Sequence, residues 1–161
     1  MLILNMPLTG LADTSCDLDV PDGPVILTVS GNIANTNVGN EAQFDRAMLE
    51  ALPQHDFATG TPWTEGTSDY SGPLMRDLLA CLHAESDEVH VSALNGYEAS
   101  IPVSDFEEYE VILALRKDQH AIPIREYGPL WVLYPFDQDA ALLNEKIRFR
   151  AVWQVMHIDV R

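Results

Sequence analysis

The chain has 161 residues and carries 25 acidic against 9 basic side chains, a formal net charge of −16. That length suits one domain with a real core, and that charge repels nucleic acid and anionic membranes, excluding both as main partners. The sequence has no apolar run long enough for a transmembrane helix.

Residues 1–12 are apolar and end in small residues, which suits either a signal-peptide remnant or an extended arm. The arm is preferred, because a positively charged start and a clean cleavage site are lacking. Residues 13–23 are acidic and Pro/Gly-bearing, so 1–24 is set apart from a single domain over 25–161. Val25–Ser30 alternates as a first strand, and an Asn-rich connection follows it. Asn40 is expected to cap a helix over Glu41–Leu52, with Phe44, Met48, Leu49 and Leu52 as its apolar stripe. His55–Phe57 reads as a short edge strand, and the aperiodic stretch to Ser71 as a long loop of functional or mobile character. Gly72-Pro73 is expected to open a second helix that buries Leu74, Leu78, Leu79 and Leu82.

Val89–Pro102 is the clearest local signal. Two alternating runs flank Asn95-Gly96, which predicts a hairpin with a type I′ turn and φ > 0 at both central residues. Val89, Val91 and Ala93 then share one face, as do Tyr97, Ala99 and Ile101. Ser104–Glu110 reads as a helical turn whose acids form a solvated face. Val111–Arg116 and Leu130–Tyr134 read as strands, with a turn at Lys117–His120. Asp137–Lys146 has a short helical character, and Phe149–Val160 is expected to be a long, bulged strand. Strands outnumber inserted helices, which argues for an α+β fold, mixed and mainly β.

The sequence contains no P-loop, no dinucleotide fingerprint, no nucleophile elbow and no zinc-protease motif. Its five histidines lack ligand spacing, and the loop acids Asp56, Glu65 and Asp69 read as solvated carboxylates. Cys16 and Cys81 form no metal or redox pattern. Cys81 is expected to be a small buried residue and Cys16 the freer thiol, and a bond between them requires export of the chain. Trp63 in the loop and Trp131 at a strand start either pack or line a pocket. The scarce cations Arg125, Arg148 and Arg150 either meet an anionic ligand or pair with carboxylates.

The order of landmarks carries more than any one of them. Trp63 precedes Tyr70-x-Gly72-x-Leu74-x-x-x-Leu78-Leu79, followed by Tyr97-x-x-Ser100-Ile101-Pro102 and Val111-Ile112-Leu113-Ala114. Gly128-Pro129-Leu130-x-x-x-x-Pro135 and Trp153-x-x-x-x-Ile158-x-Val160 complete the order. From Val25 to Val160 this resembles the molybdopterin-binding domain of the sulfite oxidase family, especially its small single-domain members.

The resemblance implies a mixed, largely β sulfite oxidase-like fold and a molybdopterin cofactor. For that cofactor the binding candidates are the aromatic and cationic side chains singled out above with the landmark tyrosine, Trp63, Tyr97, Arg125, Trp131, Arg148 and Arg150. The resemblance also implies a metal-ligating cysteine thiolate near Gly60–Trp63, where this chain has none, so the metal-ligand set is empty and the catalytic residues are unassigned. The family's basic residues for the pterin phosphate fall at Leu130-Trp131 and at Ala151-Val152, which are not basic here. The expectation is a molybdopterin-dependent oxidoreductase-like domain, inactive if the thiolate is not replaced. The alternative is a non-catalytic module on the same fold that binds a small molecule or a partner protein. Hydrolysis by the loop acids is a third, weaker reading. A periplasmic or other extracytoplasmic location is expected, with the cytoplasm as the alternative.

Overall fold

The computed structural model describes residues 16–161, so the expectation for residues 1–12 lies outside the described residues. In chain order the strands and helices are β1 (Val25–Gly31), β2 (Ala42–Asp45), α1 (Arg46–Ala51), β3 (Gln54–Thr59), β4 (Ser68–Pro73) and α2 (Met75–Cys81). There follow β5 (Glu88–Ala93), β6 (Glu98–Pro102), α3 (Ser104–Glu108), β7 (Ile112–Ala114), β8 (Arg116–Lys117) and β9 (His120–Ala121). The chain ends with β10 (Trp131–Leu133), α4 (Glu145–Arg150) and β11 (Val155–Val160). Single 3-10 turns lie at Ile124–Glu126 and Ala140–Leu142. None of the described helices is long and apolar enough to cross a membrane.

One sheet of five strands runs in the order β2-β1-β11-β5-β6, and one of four in the order β3-β4-β8-β9. The pair β7–β10 stands apart. Only β1 and β11 pair in parallel among these ladders. The expected α+β architecture, mainly sheet with short inserted helices, is therefore the one found. Alternation sends Leu27, Val29, Val89, Val91, Ile158 and Val160 into a single core, shared with Leu78 of α2 and Leu82 just after it. Each such side chain, fully buried, stabilises the fold by roughly 1.5–3 kcal/mol before entropy is counted.

The expected helix over Glu41–Leu52 is replaced by β2 and the short α1. Ala42 and Phe44 satisfy period two as well as Phe44 and Met48 satisfy a helical stripe, and the open edge of β1 decides between them. Phe44 pairs with Leu27. Asn37 extends that ladder, accepting from the Gln43 amide and donating to its carbonyl, both at 2.8 Å. The cap is Asp45 and not Asn40. Asp45 accepts from Met48 N at 2.9 Å and also from the amides of Gly23 (3.0 Å) and Asp22 (3.1 Å).

These amides, Gly23 first and Met48 next, hold the Asp45 carboxyl below its usual 3.8. A carboxyl whose folded pKa is depressed stabilises the fold fully above the unfolded pKa and loses that contribution as pH falls through the folded one. Acidification below 3.8 therefore destabilises the protein through this residue. Asp45→Asn, which keeps an acceptor at the cap, should flatten that part of the acid limb. Urea midpoints at neutral pH and at about pH 3 measure it, and equal acid losses in both proteins would refute it.

The hairpin forms with different turn chemistry. Ala93 N donates to Tyr97 O at 2.9 Å, Gly96 N donates to Ala93 O at 3.1 Å, and of the two central residues only Gly96 has positive φ, 87°. The loop is thus Leu94-Asn95-Gly96, a three-residue connection ending in a left-handed glycine. Val91 still faces Ala99 and Val89 faces Ile101, and Tyr97, opposite Ala93, keeps to the same face but lies at the open end of the hairpin, where it is exposed. Positive φ at two consecutive central residues occurs instead at Asp118 (49°) and Gln119 (69°), between β8 and β9.

Gly72-Pro73 closes β4 and does not open α2, which begins at Met75. A Cβ on Gly72 would run into the Leu113 carbonyl of β7, so close strand approach explains the glycine. The expected strand from Phe149 is shortened to β11, because 145–150 is helical. The expected bulge is present between Val155 and His157. Cys16 is not a free thiol. It is bonded to Cys81 at the end of α2, with a Cα–Cα separation of 5.2 Å.

Candidate functional site

The loop between β3 and β4 is shorter than expected and is pinned at its start. Thr59 Oγ1 accepts from Asp137 N at 3.1 Å, while Gly60 N donates to Asp137 Oδ2 at 2.7 Å. Thr61 Oγ1 accepts from the amides of Trp63 (3.2 Å) and Thr64 (3.1 Å). This local turn presents the half-buried Trp63 ring to the body of the domain. Its centroid lies 5.0 Å from Trp153, and 6.0 Å from both Trp131 and Phe136. Tyr127, held at φ 80°, packs between Trp131 and Trp153, and its hydroxyl donates to the Trp63 carbonyl at 3.2 Å. All three tryptophans of the chain therefore meet in one cluster.

Below it, Trp131 is 1% exposed, and its ring N–H donates to Ala151 O at 3.2 Å. Trp131 is a packing residue and does not line an open site. Tyr70, edge-on to Trp131, is fully buried. Its hydroxyl has no partner among the described residues, and burial pushes its pKa up.

Outside the cluster lies a cleft of about 390 Å³. Trp63, Trp153 and Ala151 line one part of it, Asn95 and Tyr97 come from the hairpin, and Glu145, Arg148 and Phe149 come from α4. Asn144 sets that helix by accepting from Ile147 N at 3.0 Å. Spacings of three and four then put Glu145, Arg148 and Phe149 on one face. Tyr97 braces the opposite wall, donating its hydroxyl to Phe149 O at 2.8 Å. Burial pushes the Tyr97 hydroxyl up, so it stays neutral and remains a donor.

Of the sequence-derived candidates, Trp63, Tyr97 and Arg148 meet at this cleft. Arg150 does not. Its guanidinium donates to Asp105 Oδ2 at 2.9 Å, and Tyr134 donates to the same oxygen at 2.7 Å. Asp105 is 7% exposed, so it is not part of a solvated face. Burial, and then the bond to Asp105, drives the Tyr134 hydroxyl far up from its usual value. Arg125 is exposed on its 3-10 turn and does not reach the cleft. Phe149, Trp153, Glu145 and Asn95 were not singled out as site residues. The helical spacing from Asn144 to Phe149 is the signal that could have found two of them.

Asp56, Glu65 and Asp69 are exposed, as solvated carboxylates should be. Among the described residues no three histidines, cysteines or acids gather as a metal site. The donor set does not fit a metal-bearing, phosphorylated pterin. Both cysteines are consumed in the disulfide, and Leu130, Trp131, Ala151 and Val152, which stand where the phosphate contacts were expected, are core residues. The cleft itself offers one guanidinium beside one carboxylate.

None of the curated proteins matches the chain. The family described as oxidoreductase molybdopterin binding domain matches it over residues 25–137, ending before α4 and β11. That match covers most of the chain and the framework around Trp63 and the hairpin, so the protein belongs to the oxidoreductase molybdopterin binding domain family.

Proposed function

We propose that this chain is a non-catalytic member of its family, a module that holds a small organic ligand in the aromatic cleft. One observation carries the reading. In the Gly60–Trp63 loop, where the resemblance puts a thiolate, the side chain turned toward the domain is Trp63, packed on Trp131, Trp153 and Phe136. An indole offers π-faces and apolar area, not a soft anionic ligand. The buried residues at the expected phosphate positions support the same reading.

An extracytoplasmic location forms part of the proposal and is supported by the Cys16–Cys81 bond, which persists in oxidising compartments. The net charge of −16 supports a partner other than nucleic acid or an anionic membrane.

The test is expression in a host that makes the molybdenum cofactor, with metal analysis and pterin fluorescence of the purified protein. The expected result is neither molybdenum nor pterin in stoichiometric amount. Stoichiometric molybdenum would overturn the proposal in favour of a cofactor-dependent oxidoreductase whose thiolate is replaced. Pterin without metal would leave a ligand-binding role but change its ligand.

A further inference from the structure

We infer that the cleft takes a small zwitterionic quaternary-ammonium compound, with a trimethylammonium head a few bonds from a carboxylate or phosphate. This rests on the non-catalytic binding reading and gives it a ligand class. Four aromatic side chains, Trp63, Trp153, Tyr97 and Phe149, contribute to the lining. The planes of Trp63 and Trp153 meet at 72° with centroids 5.0 Å apart, an edge-to-face pair whose outward surfaces line the cleft. Indole faces attract cations more strongly than other side-chain rings do. A quaternary ammonium suits such walls better than a primary one, because its charge is diffuse and its methyl groups lose little on leaving water.

Charge narrows the class further. The chain's net −16 raises the local concentration of cations and repels free anions. The lining nonetheless holds one cation, Arg148, and one anion, Glu145. Both are exposed, and neither has an ion-pair partner among the described residues. Opposite charges one helical turn apart match a ligand carrying both signs over a short span. A polyanion would meet a single guanidinium with a carboxylate beside it. A volume of about 390 Å³ admits a compact ligand of this kind.

Tryptophan fluorescence and calorimetric titration of the whole protein test the inference. The probes are glycine betaine, phosphocholine, tetramethylammonium, benzoate, and 3,3-dimethylbutanoate, which has betaine-like shape without the cation. Glycine betaine or phosphocholine should bind, with 3,3-dimethylbutanoate at least about tenfold weaker. Trp63→Ala should abolish binding. Phe149→Ala, at a side chain 57% exposed and so removable without unfolding the domain, should weaken it several-fold. Arg148→Gln should weaken the zwitterion but not tetramethylammonium. Equal binding of betaine and its carbon isostere, or no change in Phe149→Ala, would overturn the inference. Binding of benzoate with no response to either zwitterion would overturn this ligand class and leave the cleft a binding site. Stoichiometric molybdenum in the same preparation would remove the underlying reading itself.

Discussion

Replacing Asp105 with alanine should destabilise the protein by about 3–5 kcal/mol, the range for breaking a buried ion pair from one side. The carboxylate accepts from both Tyr134 and Arg150 on one oxygen, at 2.7 and 2.9 Å. Its removal leaves a phenol inside the core and a guanidinium with only 22% of its side chain exposed, neither with a partner. Asp105→Asn keeps an acceptor for Tyr134 but loses the charge, so its loss should be smaller. Adding Arg150→Met to Asp105→Ala should restore part of the stability, because the orphaned cation goes with it. Urea unfolding of the four proteins measures each step. A loss under about 1 kcal/mol for Asp105→Ala would mean that water reaches the site and screens the pair. The triad joins α3, the residue after β10 and the last turn of α4, so it fixes the helix that carries Glu145, Arg148 and Phe149 to the cleft.

Breaking the Cys16–Cys81 bond should cost about 4 kcal/mol, because the two residues are 65 apart in sequence and loop-closure entropy grows slowly with that span. The double variant Cys16→Ala/Cys81→Ala, or the wild type in reductant, should lower the urea midpoint and raise the slope, because the unfolded chain without its cross-link exposes more surface. Asn35 stitches the same corner, donating to the Cys16 carbonyl at 3.0 Å and the Cys81 carbonyl at 2.9 Å. Those bonds are partly exposed and cannot replace the covalent link in the unfolded chain. An unchanged midpoint under reductant, or two free thiols in protein purified without reductant, would refute the bond as a stabilising element. It would also remove the support it gives to an extracytoplasmic location.

How legible the fold was depended on where each segment's backbone partners lie. β1, the β5–β6 hairpin and the core face of α2 were readable, since alternation and helical spacing there agree with the final packing. Residues 41–52 were not, because Phe44 fits a strand face and a helical stripe equally well and only the open edge of β1 separates them. The Asn95-Gly96 pair marked the right turn but not its type. Pairing of Ala93 with Tyr97 across three residues sets the register, and that pairing is a property of the ladder. The segment before β11 is helical and not the expected strand: Phe149 and Ala151 mimic alternation, but the Asn144 cap starts α4 there.

The candidate site divides in the same way. Trp63, Tyr97 and Arg148 were identifiable as scarce or landmark side chains, and the order of landmarks identified the family that the match over residues 25–137 then showed. By itself the sequence determined the α+β class, the family, the strongly acidic surface, and the lack of a cysteine in the loop where a metal thiolate was expected. All of these follow from residue identity and order. The tertiary structure alone decided which arginine is free, which tryptophan is open, and that both cysteines are consumed by each other. Arg148 and Arg150 differ by two positions, yet one lines the cleft and the other is spent on Asp105. The reason is physical: a side chain's chemistry is local, but its availability depends on burial and partners contributed by residues far away in the chain.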